Sequence, residues 1–243
     1  MDPYAWSWNP EALVVVPLLT VAYIVALRTF AAAWWRIACF LVAMALVLVV
    51  GATPVHTLAM HYLLTVHLLQ NVVLAEWAPL LVVLGLPPAL GAAMTRRAPM
   101  RVLTHPLVAL PLWLANYMVW HLPWVYDAAL HHQHSLLHLE HVLYFATGVL
   151  LWWPVFHGDL SSGGKALYLF AAFVLASPIG LMMALVPEPI YDFYVDAPRL
   201  WGLSPILDQQ IAGVSMAAAE SVVFFAFFAF FIARFFNEQD AMT

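Results

Sequence analysis

The chain has 243 residues, of which 65% are hydrophobic and only 9% charged, with a formal net charge of -5 and a mean hydropathy of +0.90. That is too little polar surface to cover a water-soluble globule, and it excludes a basic nucleic-acid binder. The lone Cys39 excludes a disulfide framework, a CxxC redox pair and a thiolate cluster.

Apolar stretches of roughly 17 to 25 residues fit spanning helices, whereas a barrel strand needs only about ten residues of alternating polarity. The expected fold is therefore all-α: a polytopic membrane protein with seven transmembrane helices, forming a single domain over 1–243. The spans are read at 13–27, 37–51, 59–84, 106–120, 135–156, 166–186 and 210–231. Gly85, Leu86, Pro87 and Pro88 punctuate the end of the third. The segment before the first span lacks the basic region of a cleavable signal, so that helix is expected to stay in the mature protein.

Basic residues set the orientation. With the N-terminus outside and the C-terminus inside, Arg28, Arg36, Arg96, Arg97, Arg101, Lys165 and Arg234 fall on the cytoplasmic side, leaving Arg199 outside. The expected location is a bacterial plasma (inner) membrane. Tryptophans at span ends (Trp34, Trp35, Trp120, Trp124, Trp152, Trp153, Trp201) read as interfacial anchors.

This topology gathers the histidines on one side. His56, His61, His67, His121, His131, His132, His134, His138 and His141 fall at or just below the outer surface, with His105 and His157 at the inner one. On a continuous helix His131, His134, His138 and His141 share one stripe about 80° wide. His138 and His141, one turn apart, can share an ion, with Glu140 pointing about 100° away. If the helix starts near Ser135, only His138 and His141 remain. On the third helix Asn71 follows His67 on the same face, while His61 lies about 120° around the axis. The two histidines share an ion only if the helix starts later or bends.

Deeper in the membrane stand two carboxylates, Glu76 on the third span and Glu220 on the seventh. An ionisable group inside a span is a candidate functional residue. These two can pair and share a proton, as a structural contact or as a proton path. For the histidine set, imidazole with carboxylate suits copper or zinc, and two imidazoles from different helices suit haem b. No soluble domain or Gly-rich phosphate loop occurs, and the lack of an H-E-x-x-H stretch makes a membrane zinc hydrolase a weaker reading.

Several blocks then stand in a recognisable order. They are His67-Leu68-Leu69-Gln70-Asn71 with Ala78-Pro79 and Gly85-Leu86-Pro87; Trp120-His121-Leu122-Pro123 with Tyr126-Asp127; His138-Leu139-Glu140-His141 with Gly148 and Trp152-Trp153-Pro154; Tyr191; Gly202 with Pro205; and Asp208-Gln209-Gln210 with Gly213. Together they resemble the CtaG-type, caa-type cytochrome c oxidase assembly factors, whose third helix reads H-x-x-Q-H…A-P-P-L-L-x-L-G-x-P. The resemblance covers about residues 60 to 215. It departs at Asn71, where a second histidine is usual, at Glu76, where an apolar residue is usual, and in the spacing of the His138 and His141 pair.

The resemblance implies a non-catalytic role in building a haem-copper oxidase, by holding copper at the outer face and delivering it to an oxidase subunit. Read together with the outer histidine cluster, the expected metal ligands are His67, His121, His138 and His141, with His61 or a histidine of the run 131–138 in place of the missing one. Gln70, Asn71, Asp127, Glu140, Asp208 and Gln209 are read as the residues behind them, the carboxylates orienting imidazoles. The expected partners are oxidase subunits and the lipid bilayer, with no nucleic acid. A haem b electron-transfer protein and a cofactor-free scaffold for oxidase subunits are the other two readings.

Overall fold

A computed structural model describes residues 2–7 and 9–241 of the chain, and no strand occurs among them. The helices are α1 (Pro10–Leu27), α2 (Trp34–Ala52), α3 (Pro54–His61), α4 (Leu64–Val72), α5 (Ala78–Gly85), α6 (Pro88–Thr95), α7 (Ala98–Leu103), α8 (Pro106–Trp120), α9 (Pro123–His131), α10 (His138–Phe156), α11 (Ser162–Leu185), α12 (Asp192–Asp196) and α13 (Pro205–Asp240). Proline opens many of them, where its missing N–H has no intrahelical partner to lose.

Among the described residues five helical segments are long and apolar enough to cross a membrane: α2, Leu64–Gly85, Gln133–Phe156, α11 and α13. Two more apolar helices, Ala12–Leu27 and Pro106–Trp120, are shorter. The apolar segments read from the sequence are thus all helical.

The segment Leu64–Gly85 forms the centre, burying Leu64, Leu68, Val72, Leu74, Ala75, Ala78 and Val83 against α2, α10 and α13. It is not a regular α-helix throughout. Val73–Trp77 forms one π turn, in which the Ala78 N–H bonds to Val73 O. Pro79 explains it: proline has no N–H for the carbonyl of Ala75 and its ring would clash there, and a wider turn removes the clash. The bared Ala75 carbonyl lies against Gly148 of α10, where an added Cβ would come within 2.2 Å of that oxygen. A proline on one helix therefore demands a glycine on its neighbour.

At the far end of α5, Arg36 donates to Leu84 O (2.7 Å) and Leu86 O (3.0 Å), and Tyr23 O–H donates to Gly85 O (2.8 Å). These bonds satisfy carbonyls that a helix C-terminus leaves without partners. Gly85 lets α2 approach, since a Cβ there would meet Arg36 O and Phe40 at 2.9 Å.

The structure corrects several expectations. The third span is not one helix from residue 59, because it breaks at Tyr62 and the extended Leu63. The stretch between the spans read at 106–120 and 135–156 is itself helical, holding α9 and a π turn, Gln133–Leu137. The break at His132 takes His131 off the axis of α10, so the four-histidine stripe does not form. Trp120, Trp152 and Trp153 are buried rather than interfacial, whereas Trp34, Trp35, Trp124 and Trp201 are exposed. Trp152 is held inside by donating to Glu76 O at 3.1 Å.

Candidate functional site

His67 sits in the first turn of α4 with no exposed surface. Tyr194 O–H donates to Ala59 O at 2.5 Å, so its oxygen is left to accept from His67 Nδ1, 2.8 Å away. Tyr126 Oη lies 2.9 Å from the same nitrogen. With its proton on Nδ1, the ring keeps a lone pair on Nε2, and that atom is buried without a hydrogen-bond partner among the described residues.

His121, which ends α8, is built the same way. Its Nδ1 donates to Tyr117 O at 2.8 Å, with Tyr144 Oη 3.4 Å from it. Its Nε2 is likewise buried and without a partner among the described residues. The Tyr126 ring is near both imidazoles, 5.0 Å from the His67 centroid and 6.4 Å from that of His121, and stacks on Tyr191 at 4.0 Å. Tyr191 O–H donates to His121 O at 3.1 Å.

Around this pair the polar side chains take defined partners. Gln70 Nε2 bonds to His56 Nδ1 at 3.2 Å, and the His56 ring meets the buried His141 edge-on at 6.3 Å. Burial, then the neighbouring His141, pushes His56 down to about 3, so it is a neutral imidazole near pH 7. Asn71 Nδ2 donates to Glu140 Oε1 at 3.1 Å, deep in the bundle. In this chain Asn71 is a donor to a buried carboxylate on α10.

Three residues expected to back the imidazoles instead hold backbone in place. Asp208 accepts from Leu64 N (2.8 Å), Thr65 N (3.1 Å) and Thr65 Oγ1 (2.7 Å), and so caps α4 from α13. Asp127 accepts from Asp192 N (3.3 Å) and Phe193 N (3.1 Å), the start of α12. Gln209 accepts from Ile190 N (2.7 Å) and donates to Glu188 O (3.1 Å). Arg199 donates to Tyr194 O and to Ala197 O. These bonds anchor the segment that sets Tyr194 against the His67 ring and Tyr191 against the His121 carbonyl.

His61 and His138 lie outside this core. A cavity of about 350 Å³ is lined by His56, His61, His134 and His138 with Met60 and Gln133. A second, of about 380 Å³, has His61, His131, Asp192 and Asp196 on its wall. His56 is common to the first cavity and the buried network. Towards the middle of the bundle Glu220 is the acidic neighbour of Glu76. Glu220 accepts from Tyr117 O–H at 2.5 Å, and the two carboxyl oxygens of Glu76, in the π turn, have no partner among the described residues.

Sequence reasoning passed over His56 and the tyrosines as site residues. His56 was visible only as one of many outer histidines. Tyr126 and Tyr191 stood in the matched blocks without a metal-binding type of side chain to mark them.

Chemically, two neutral imidazoles with fixed tautomers and open Nε2 atoms are donors suited to copper or zinc. Among the described residues no three His, Cys, Asp or Glu side chains are grouped to hold a metal ion.

A helical bundle with apolar spans and a tyrosine-backed pair of buried histidines defines a membrane protein built around a polar interior. Residues 21–238 match the family described as cytochrome c oxidase caa3 assembly factor, and the chain belongs to that family. No curated protein and no solved structure matches it.

Proposed function

We propose that the chain is a seven-span protein of a bacterial inner membrane, N-terminus outside, that binds copper and delivers it to an oxidase subunit without catalysing a reaction. Family membership supports the assembly role. One observation carries the metal reading: His67 and His121 each direct Nδ1 to a protein oxygen and leave Nε2 open in a buried site. Tyrosine and backbone partners orient both imidazoles, as hydrogen-bond partners behind metal ligands do.

The cavity lined by His61, His134 and His138 is the entry from outside, and His56 with His141 lies between it and the pair. An ion held by few protein ligands is readily surrendered to a partner that offers more. The distribution of basic residues supports the orientation.

The test is metal analysis with an absorption spectrum on purified protein loaded with cuprous ion, zinc or haem, before and after His67→Ala and His121→Ala. Stoichiometric copper lost in both variants is the expected result. A Soret band with reducible iron would replace copper by haem b, and no retained metal of any kind would leave the scaffold role alone.

A further inference from the structure

A cavity of about 250 Å³ lies between α1, α2, α4 and α10, at the end of the bundle that holds His141. Its wall is mostly apolar, with Val16, Met44, Leu74 and Phe145 prominent; Asn9, Gln70 and His141 are its polar side chains, and no Asp, Glu, Lys or Arg among the described residues lines it. Val142 and Val15, which also line it, are 52% and 38% exposed, so the cavity meets the apolar outer face of the bundle.

Gln70 is the lining residue with an unmet hydrogen-bond need. Gln70 is 1% exposed; its Nε2 is committed to His56, and its Oε1 is buried with no hydrogen-bond partner among the described residues. A bare amide oxygen beside hydrocarbon is unfavourable, and a donor that reaches it from the cavity removes that cost.

We propose that this cavity binds one acyl chain of a bilayer lipid whose uncharged head donates a hydroxyl to Gln70 Oε1. Among the described residues no Lys or Arg lines the cavity to pair with a phosphate and no Asp or Glu to pair with an ammonium, which favours a neutral head. A partner's helix does not meet the need, because its backbone N–H groups are already bonded within it. At this wall α1 and α2 meet closely, with Gly51 so near Ala12 that an added Cβ would come within 2.8 Å. The site is separate from the histidine pair but joined to it through His56, so occupancy fixes the amide that holds that imidazole.

The experiment uses the full chain in phosphatidylcholine nanodiscs with a diazirine-bearing hexadecanol and its methyl ether, which lacks the donor. Crosslinked peptides are read by mass spectrometry. The alcohol should label the α10 segment around Val142 and Phe145 about fivefold more than the ether, the ratio expected for one neutral hydrogen bond. Gln70→Leu should reduce the alcohol to the level of the ether, and Val16→Trp, which fills the cavity but keeps Gln70, should abolish labelling there. Equal labelling by alcohol and ether in the unmodified protein would overturn the proposal. So would labelling of that segment unchanged by Val16→Trp, or stronger labelling by a phosphatidic acid probe.

Discussion

The carboxylate of Asp208 holds the backbone amide of Leu64 at 2.8 Å, so the last helix of the bundle starts the helix that carries His67. The first amides of a helix have no intrahelical partner, and a carboxylate there also faces the positive end of the helix dipole. Asp208 serves two amides and the Thr65 hydroxyl at once. Asp208→Ala should destabilise the protein by about 1–2 kcal/mol or more, the range for loss of a cap. Asp208→Asn, which keeps one acceptor oxygen, should fall between. Thermal unfolding in detergent checks the order, and unchanged stability in the alanine variant would remove the capping role.

Asp127 gives a pH signature of its own. Burial holds its carboxyl above the usual aspartate value of 3.8, with the Phe193 and Asp192 amides opposing the shift. The folded state therefore holds this proton more tightly than the unfolded one. The associated stability is fully present below pH 3.8 and is lost as pH rises through the folded value. Asp127→Asn abolishes that dependence, so its deficit relative to the parent should be largest in acid and shrink as pH rises. Unfolding midpoints measured across that window decide it.

Gly148 faces the carbonyl of Ala75 so closely that a methyl group would lie 2.2 Å from the oxygen and 2.7 Å from Pro79 Cγ. Neither backbone nor a proline ring moves cheaply. Gly148→Ala should cost on the order of 1–3 kcal/mol, as overpacking does. Gly164→Ala, with no neighbour nearer than 3.3 Å, is the control and should be nearly silent. Equal transitions for the two variants would mean that α10 can slide away from the π turn.

The apolar segments were legible because each carries its own signal, a run of hydrocarbon side chains ended by proline, glycine or charge. What the sequence hid was made by distant partners. The break at Tyr62 and Leu63 is fixed by a carboxylate 144 residues away. Asn71 looked like a lost ligand until α10 set Glu140 beside it. Trp152 and Trp153, apolar and near a span end, gave no sign of being buried donors. The histidines were legible as a group, but choosing His67 and His121 needed the tyrosines that turn their Nδ1 atoms away.

The helix break also puts His61 and His67 in different surroundings. His61 lies on α3 and lines the outer cavities, whereas His67 lies on α4 in the interior. On the proposed reading, His67→Ala and His121→Ala each remove one of two open imidazoles and should abolish stoichiometric copper. His61→Ala should leave the amount bound unchanged and slow loading, since it alters only the way in. Asn71→Leu should also retain copper, and should lower stability instead, because Glu140 then loses a buried donor worth about 1.5–3 kcal/mol when its acceptor is charged. Copper content, loading rate and thermal midpoint across the four variants separate ligand, entry and support. Loss of copper in Asn71→Leu at an unchanged midpoint would place Asn71 at the ion.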